Sequence, residues 1–457
     1  MRGISLGTVA SVCDGRYFGN SPVKDKEISF ITTDSRKAGE GCLFAAMRGE
    51  RNDGHDFIGD AFAKGAVCCI SERPVPGLSE PLILVESTAE ALKKLAAYYR
   101  AQFDIPVIGV TGSVGKTTTK DMISSVLSER FTTLKNMGNF NNELGVPLTL
   151  FELRDEHELA VLEMGVSDFG EMSRLTAMAR PDIAVFTVIG DAHLEFFKSR
   201  RGVLRAKAEI TEGMPENGLV MLNGDDDLQS AYDFGKATLS YGLGEHCELR
   251  AENVSERGLD GTVCDIVGEG RHFTVAIPVY GKHMIYAALA AAAAGIRLGL
   301  SDSEIISGIA KYTPEEGRAN VIRLKHCTII DDCYNANPTS VLAALRSIAE
   351  LEGRRVCILG DMLELGAASE QLHTETGSAA AKTGIDLIIA CGPKAEAIYR
   401  GALWAGANAL YYQSKDKLLA ELPSLITKDD TILIKASRSM RFEDIVRAAA
   451  DLELKEG

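Results

Sequence analysis

Apolar positions in the first hundred residues fall in short runs, at 28–32, 42–46, 67–70 and 82–85, separated by polar turns. Helical periodicity then takes over from 88 to 101, and the pattern predicts a small α/β unit closed by a helix and a linker at 102–106. A second unit begins with the apolar run 107–110, passes through a glycine-containing turn and enters an amphipathic helix at about 116–130. Strand candidates follow at 159–163, 183–188 and 218–222 with helical stretches between them, the alternation that builds a parallel sheet. Residues 249–279 alternate as an antiparallel excursion, and 287–298 read as a buried alanine-rich helix. After Thr313-Pro314-Glu315-Glu316-Gly317 the pattern restarts, with apolar strands at 328–330, 356–359, 387–390 and 432–434 between helical stretches. That is the signature of a doubly wound sheet.

The expected fold class is therefore α/β in three domains: a small N-terminal one at 1–103, a central parallel-sheet phosphate-loop one at 104–312 and a Rossmann-like C-terminal one at 313–457. Length agrees, since 457 residues exceed what one ordinary core organises. A formal charge of -15 argues against a broad basic surface for nucleic acid. The most hydrophobic stretch, 286–300, is nearly half alanine, contains Arg297 and is too short to span a bilayer. The opening MRGISLGTVA lacks the apolar run and small-residue cleavage site of a secretory signal, so a cytoplasmic protein without membrane insertion is expected. Ten cysteines with no CxxC spacing read as reduced, structural thiols rather than zinc ligands.

The turn after the 107–110 run carries chemistry. In Thr111-Gly112-Ser113-Val114-Gly115-Lys116-Thr117-Thr118-Thr119 the glycines let backbone N–H groups curl around phosphate oxygens, and the helix that follows adds positive potential. Lys116 is placed to reach terminal phosphates, and Thr117 supplies a hydroxyl for magnesium. The usual template has glycine where this chain has Val110, so the match is to the second half of the motif. Glu163 ends an apolar strand beside this loop, where a carboxylate suits a hard cation, and His193 follows another strand. Taken alone, Glu163 reads equally well as a solvated loop-facing residue, and His193 reads more often as an ordinary histidine.

The order and wording of the segments resemble the Mur ligase family over nearly the whole chain. In the first domain Thr33-Asp34-Ser35-Arg36 and the string from Met47 to Phe57 are similar to the family's uridine-nucleotide-binding elements. TGSVGKTTTK, GNFNNELGVPLTL, LEMGVSDFGEM, AHLEFF and RAKAEI follow in the second, and GRAN, DDCYNANPTS, LGDMLELG and KASRSMRFE in the third. DDCYNANP and LGDMLELG resemble the dipeptide-adding branch, and the DNPR string of the diaminopimelate- or lysine-adding branch is absent.

The resemblance implies an ATP-dependent amide ligase of peptidoglycan synthesis. ATP phosphorylates the carboxylate of UDP-N-acetylmuramoyl-tripeptide, and the amine of D-alanyl-D-alanine attacks the acyl phosphate. It implies that Ser35, Arg36, Arg48, Asn52 and His55 hold the uridine substrate, and that Asn142, Arg318, Asp332, Asn335 and Asn337 join the loop around ATP. Glu163 and His193 are implied as magnesium ligands. Lys207 stands where several relatives carry a carbamylated lysine, an anion able to hold a second magnesium. A monomer is expected. Three departures stand out: the family's NIG is Val188-Ile189-Gly190, both asparagines of its GxHNxxN are replaced, by Met284 and Ala287, and the glycine of KGSR is Ala436. Two other readings stay open, a family member that adds a single amino acid, and a phosphate-loop ATPase that performs no ligation.

Overall fold

The computed structural model describes residues 1–19, 24–49 and 52–452. Glu50 and Arg51, inside the first-domain string, lie outside the described residues. Among these residues the strands form three sheets, arranged in succession along the chain.

The first unit contains α1 (Leu6–Val12), β1 (Arg16–Phe18), β2 (Phe30–Thr32), β3 (Cys42–Ala45), α2 (Ile58–Ala63), β4 (Cys68–Ser71), β5 (Leu82–Leu84) and α3 (Thr88–Arg100). Its order is β1-β5-β4-β3-β2, parallel except for β1. Every side chain of β3 and β4 is buried, which is why these segments read as unbroken apolar runs. Ser87 caps α3, and the helix ties the first unit to the second. Tyr99 donates its hydroxyl to Leu153 O at 2.7 Å, and the Arg100 guanidinium donates to the carbonyls of Ala179, Phe103 and Ile105.

The second unit runs β6 (Val107–Thr111), α4 (Lys116–Leu127), β7 (Thr133–Lys135), α5 (Gly145–Leu150), β8 (Leu159–Glu163), α6 (Glu171–Ala179), β9 (Ile183–Phe186), α7 (Leu194–Phe197), α8 (Arg200–Ala208), β10 (Leu219–Asn223), β11 (Ala237–Gly242), β12 (Leu249–Glu256), β13 (Thr262–Gly268), β14 (Arg271–Ile277), α9 (Met284–Arg297) and α10 (Asp302–Ala310). The sheet order is β14-β13-β12-β11-β10-β9-β6-β8-β7. Pairing is parallel from β7 to β12 and antiparallel across β12, β13 and β14. The chain leaves β6 toward β7 and β8 on one side and then crosses to β9 on the other. Beyond the carboxyl end of β6 this opens the crevice in which such sheets bind ligands. The alanines of α9 are buried between the sheet and α4. Helices pack closely there, and a Cβ added at Gly308 of α10 would meet Val126 Cα at 2.4 Å. No helix among the described residues is long and apolar enough to cross a membrane.

The third unit runs β15 (Asn320–Arg323), β16 (Cys327–Asp331), α11 (Pro338–Ala349), β17 (Arg355–Gly360), α12 (Ser369–Lys382), β18 (Leu387–Cys391), α13 (Glu396–Trp404), β19 (Ala409–Tyr412), α14 (Lys415–Leu425), β20 (Asp430–Lys435) and α15 (Glu443–Ala450). Its order is β15-β16-β20-β17-β18-β19, with β15 alone antiparallel. The chain's single tryptophan, Trp404, closes α13 with 77% of its surface exposed.

The ten cysteines are all buried and unpaired. Helix α4 stops at Leu127, short of the span read from periodicity. Strands β7, β11 and β19 escaped the pattern because they are short or half exposed, so neither alternation nor an apolar run marks them.

Candidate active site

The loop between β6 and α4 is pinned from the side of β9. Ser113 N donates to Val188 O at 2.7 Å, and Thr187 Oγ1 donates to Val114 O at 2.6 Å. Gly112 has φ +146, and a Cβ on it would fall 1.9 Å from Thr187 Oγ1, so only glycine brings the loop this near the neighbouring strand. Val188, at the position of the family-type asparagine, forms an isolated bridge with Val114, and Ile189 N donates to Asp226 Oδ2.

The loop opens on a cavity of about 1060 Å³ between the second and third units. That exceeds the range of roughly 300–1,000 Å³ common for one small ligand. Its wall brings together Ser113, Val114, Gly115, Lys116, Thr117 and Thr118 of the loop, Asn142, Glu163 and His193 of the second unit, and Arg318, Asp332, Asn335 and Asn337 of the third. Met284 and Ala287, the two replaced asparagines, line the same wall. Near them Tyr286 donates its hydroxyl to Asp225 Oδ2 at 2.9 Å.

Glu163 is a buried carboxylate in the wall of this cavity, beside the loop. Only 2% exposed, it accepts from Thr117 Oγ1 at 2.7 Å and from Asn141 Nδ2 at 2.7 Å. Thr117 Oγ1 in turn accepts from Arg318 Nη2 at 2.9 Å, so one hydroxyl links the third unit to this carboxylate. The backbone of Glu163 is clamped as well. Asn136 lies one residue beyond β7 and continues its ladder with a side chain: Oδ1 accepts from Glu163 N at 2.8 Å and Nδ2 donates to Glu163 O at 2.9 Å. Lys120, a fully buried residue of α4, donates to Asn136 O at 2.8 Å and sits 3.8 Å from Glu315 of the segment entering the third unit.

Two lysines crowd the same region. Part of Lys116 still meets solvent, but protein atoms enclose its ammonium, and this desolvation lowers its pKa against the pull of Glu163. Lys207 on α8 is 1% exposed. Burial, reinforced by the like charge of Lys116, holds it well below the ordinary lysine value, and Glu163 and Glu171 only partly oppose this. Neutral amine is therefore more accessible at Lys207 than at a surface lysine.

The third unit contributes a cationic rim. Arg318 lies over the Tyr334 ring at 3.9 Å and Arg438 at 5.3 Å, a stacking that holds the guanidinium planes without using up their hydrogen bonds. The Nε of Arg318 is buried without a protein partner among the described residues. Lys435 pairs with Asp332 at 2.6 Å, and Asn337 caps α11 by accepting from Ser340 N. Ala436 lies outside the left-handed backbone region, so its methyl group is compatible with the local conformation.

Family models match the chain in three stretches: the catalytic domain of the Mur ligase family over residues 27–100, the Mur ligase middle domain over 110–295, and the Mur ligase glutamate ligase domain over 317–438. The chain belongs to the Mur ligase family. It is 39% identical to UDP-N-acetylmuramoyl-tripeptide--D-alanyl-D-alanine ligase of Bacillus subtilis (strain 168), covering 94% of each chain. Its fold is similar to crystal structure I of MurF from Acinetobacter baumannii, with a TM-score of 0.90, 33% identity and coverage of 98% and 99%. It is also similar to the MurF ligase of Thermotoga maritima in complex with ADP, with a TM-score of 0.82, 31% identity and coverage of 92% and 97%.

Not every residue expected from the Mur ligase resemblance reaches the cavity. Gly112 shapes the loop from behind, and Lys207 sits beneath the surface beside Lys116 and Glu163. None of Ser35, Arg36, Arg48, Asn52 and His55 lines the cavity; they cluster at the turns after β2 and β3. Arg36 makes a bidentate pair with Asp34, whose carboxyl the guanidinium and the Arg36 N–H hold down at about 2. Arg48 lies 3.7 Å from Asp53, and Asn52 O accepts from Gly49 N. His55 is a strut: its ring is 1% exposed, Nδ1 contacts Asp53 at 2.6 Å, and Nε2 accepts from Glu72 N at 3.0 Å. With both ring nitrogens engaged inside the protein, it shapes the turn that presents Arg48 and Asn52. Sequence reasoning missed Asn136, Asn141 and Tyr334 as residues that order the site. Asn141 at least lay inside the quoted GNFNNELG string, and Tyr334 inside DDCYNANP.

Proposed function

We propose that this Mur ligase joins D-alanyl-D-alanine to UDP-N-acetylmuramoyl-tripeptide, consuming ATP and releasing ADP and phosphate. The observation that carries it is the meeting of phosphate loop, buried carboxylate and third-unit arginine across one cavity, through Arg318, Thr117 and Glu163. The near full-length likeness to ligases bearing that name supports the choice of substrates. Domain boundaries near 103 and 312, a monomeric state and a cytoplasmic setting belong to the same proposal.

In this reading the loop amides and Lys116 grip the β- and γ-phosphates of ATP while the tripeptide carboxylate attacks the γ-phosphorus and ADP leaves. The dipeptide amine then adds to the acyl phosphate carbon, and phosphate departs from the tetrahedral intermediate. Each step gathers negative charge on neighbouring oxygens, so fixed cations and donors supply most of the acceleration. Arg318, oriented on Tyr334 with Nε uncommitted, is suited to that charge. Asp332, Asn335 and Asn337 complete the nucleotide side from the third unit.

The residues fit a divalent cation. Glu163 is buried with neutral hydroxyl and amide donors on its oxygens, and Thr117 and His193 share its wall. Magnesium held there would neutralise phosphate charge and orient the leaving group. Lys207 fits carbamylation, because carbon dioxide adds to a neutral amine and burial favours that form. The carbamate would give the site a further oxygen ligand. Ser35, half-buried, and the exposed Arg36, Arg48 and Asn52 present a polar surface suited to the uridine end of the substrate.

The test is a panel of amine acceptors with the UDP-linked tripeptide, followed by phosphate release and product mass. Turnover with D-alanyl-D-alanine and none with free amino acids is expected. Turnover with a single amino acid but not the dipeptide overturns the assignment, and phosphate release independent of both organic substrates overturns ligation altogether.

A further inference from the structure

His193 and Glu364 face each other across the boundary between the second and third units, with Nδ1 and Oε2 2.6 Å apart. The Nδ1–H is not aligned on that oxygen in this arrangement, and Nδ1 is buried with no other hydrogen-bond partner among the described residues, so the carboxylate is the acceptor within reach. Both residues occupy the left-handed backbone region, at φ 54 and φ 61, where non-glycine residues are uncommon and tend to mark functional positions. The contact belongs to a built interface. Glu195 N donates to Glu364 O at 3.3 Å, and Gly366 lies so near that a Cβ on it would be 3.2 Å from Glu195 Cα. Behind Glu364 its own unit fixes the loop: Met362 N donates to His373 Nε2 at 2.9 Å, Leu363 N to Ser437 Oγ at 2.9 Å, and Asp361 Oδ1 accepts from Lys394 N and Ala395 N. The third unit thus holds a rigid arm whose carboxylate ends on a histidine of the second.

We propose that Glu364 is a positioning residue for His193: its carboxylate accepts a hydrogen bond from Nδ1–H when the units close, which fixes the ring's tautomer and leaves Nε2 as the donor atom for the divalent cation. This rests on the reading of His193 as a cation ligand given above. A carboxylate behind a ligating imidazole sets its orientation and raises its basicity. Since the two residues come from different units, the histidine is set only when the units meet. Cation affinity is then coupled to their closure, with Arg318 on Thr117 as the parallel contact.

The experiment uses the full chain, ADP and Mn²⁺, with free Mn²⁺ read by electron paramagnetic resonance and the imidazole tautomer by ¹⁵N NMR. Glu364→Ala is expected to weaken Mn²⁺ about ten- to a hundredfold, to mix the tautomers of His193, and to lower kcat while KM for the UDP-linked substrate stays within about twofold. Glu364→Gln, which keeps an acceptor oxygen, should recover part of the loss, and melting curves confirm that both variants fold. His193→Ala separates the two readings. If it leaves Mn²⁺ affinity unchanged, the cation reading of His193 falls. If it weakens Mn²⁺ while Glu364→Ala retains wild-type affinity and tautomer, the positioning role of Glu364 falls alone.

Discussion

Glu163 depends on its backbone as well as on its carboxylate contacts. Asn136 pairs with its N–H and its C=O where the β7 ladder has run out. Asn136→Ala strips partners from two buried peptide groups, each costing about 1–3 kcal/mol if it stays unsatisfied. Denaturant titration should show a lower midpoint with an unchanged slope. Lys116→Ala, by contrast, should lower kcat by two orders of magnitude or more while leaving the midpoint within error, because a partly desolvated ammonium contributes to catalysis and not to folding. For Lys207 the sign follows from its lowered pKa. Carbamate forms from neutral amine, so its ¹³C signal in labelled bicarbonate should grow as pH rises and fade on acidification. Lys116 and Thr117 were legible in the sequence because a phosphate loop is a local device, complete within one turn. Asn136 was not, since its partner lies 27 residues away and nothing near it in the chain announces the pairing.

One of the contacts that hold the loop between β17 and α12 depends on a neutral histidine. His373 of α12 is fully buried, with Nδ1 on Ser369 O and Nε2 accepting from Met362 N. Burial lowers its pKa, opposed first by the hydrogen bond to Ser369 O and then by Asp361, with Lys394 adding weakly to the fall. The unfolded chain therefore takes up this proton first, at about pH 6.5, and stability falls as pH drops from there toward the lowered folded value. Protonation also costs Met362 its acceptor. Melting temperature should decline on acidification below about pH 6.5, and His373→Gln should flatten that part of the curve. Long, fully buried strands such as β8 were readable from the apolar run alone, residue for residue. The half-exposed β11 was not, because its pairing with β10 and not its own pattern makes it a strand.

The strand and helix pattern, begun once and restarted twice, foretold three sheets, and the antiparallel excursion appears as β12, β13 and β14. How the units meet was less legible, because Arg318 on Thr117, Thr339 against Asp191 and Glu315 near Lys120 join segments far apart in sequence. At this scale ligands are expected to draw the units together. Solution scattering should give a smaller radius of gyration with a non-hydrolysable ATP analogue plus the UDP-linked substrate than without them, and Arg318→Ala should blunt the change. Curves unaltered by ligands would sink the idea. Trp404 has a further consequence at this scale. As the one indole in the chain, open to water at the end of α13, it dominates red-edge emission from a spot outside the cavity. Replacing it by phenylalanine would leave an almost dark chain, in which Tyr334→Trp, set against two guanidinium groups, would make closure visible as a change in light.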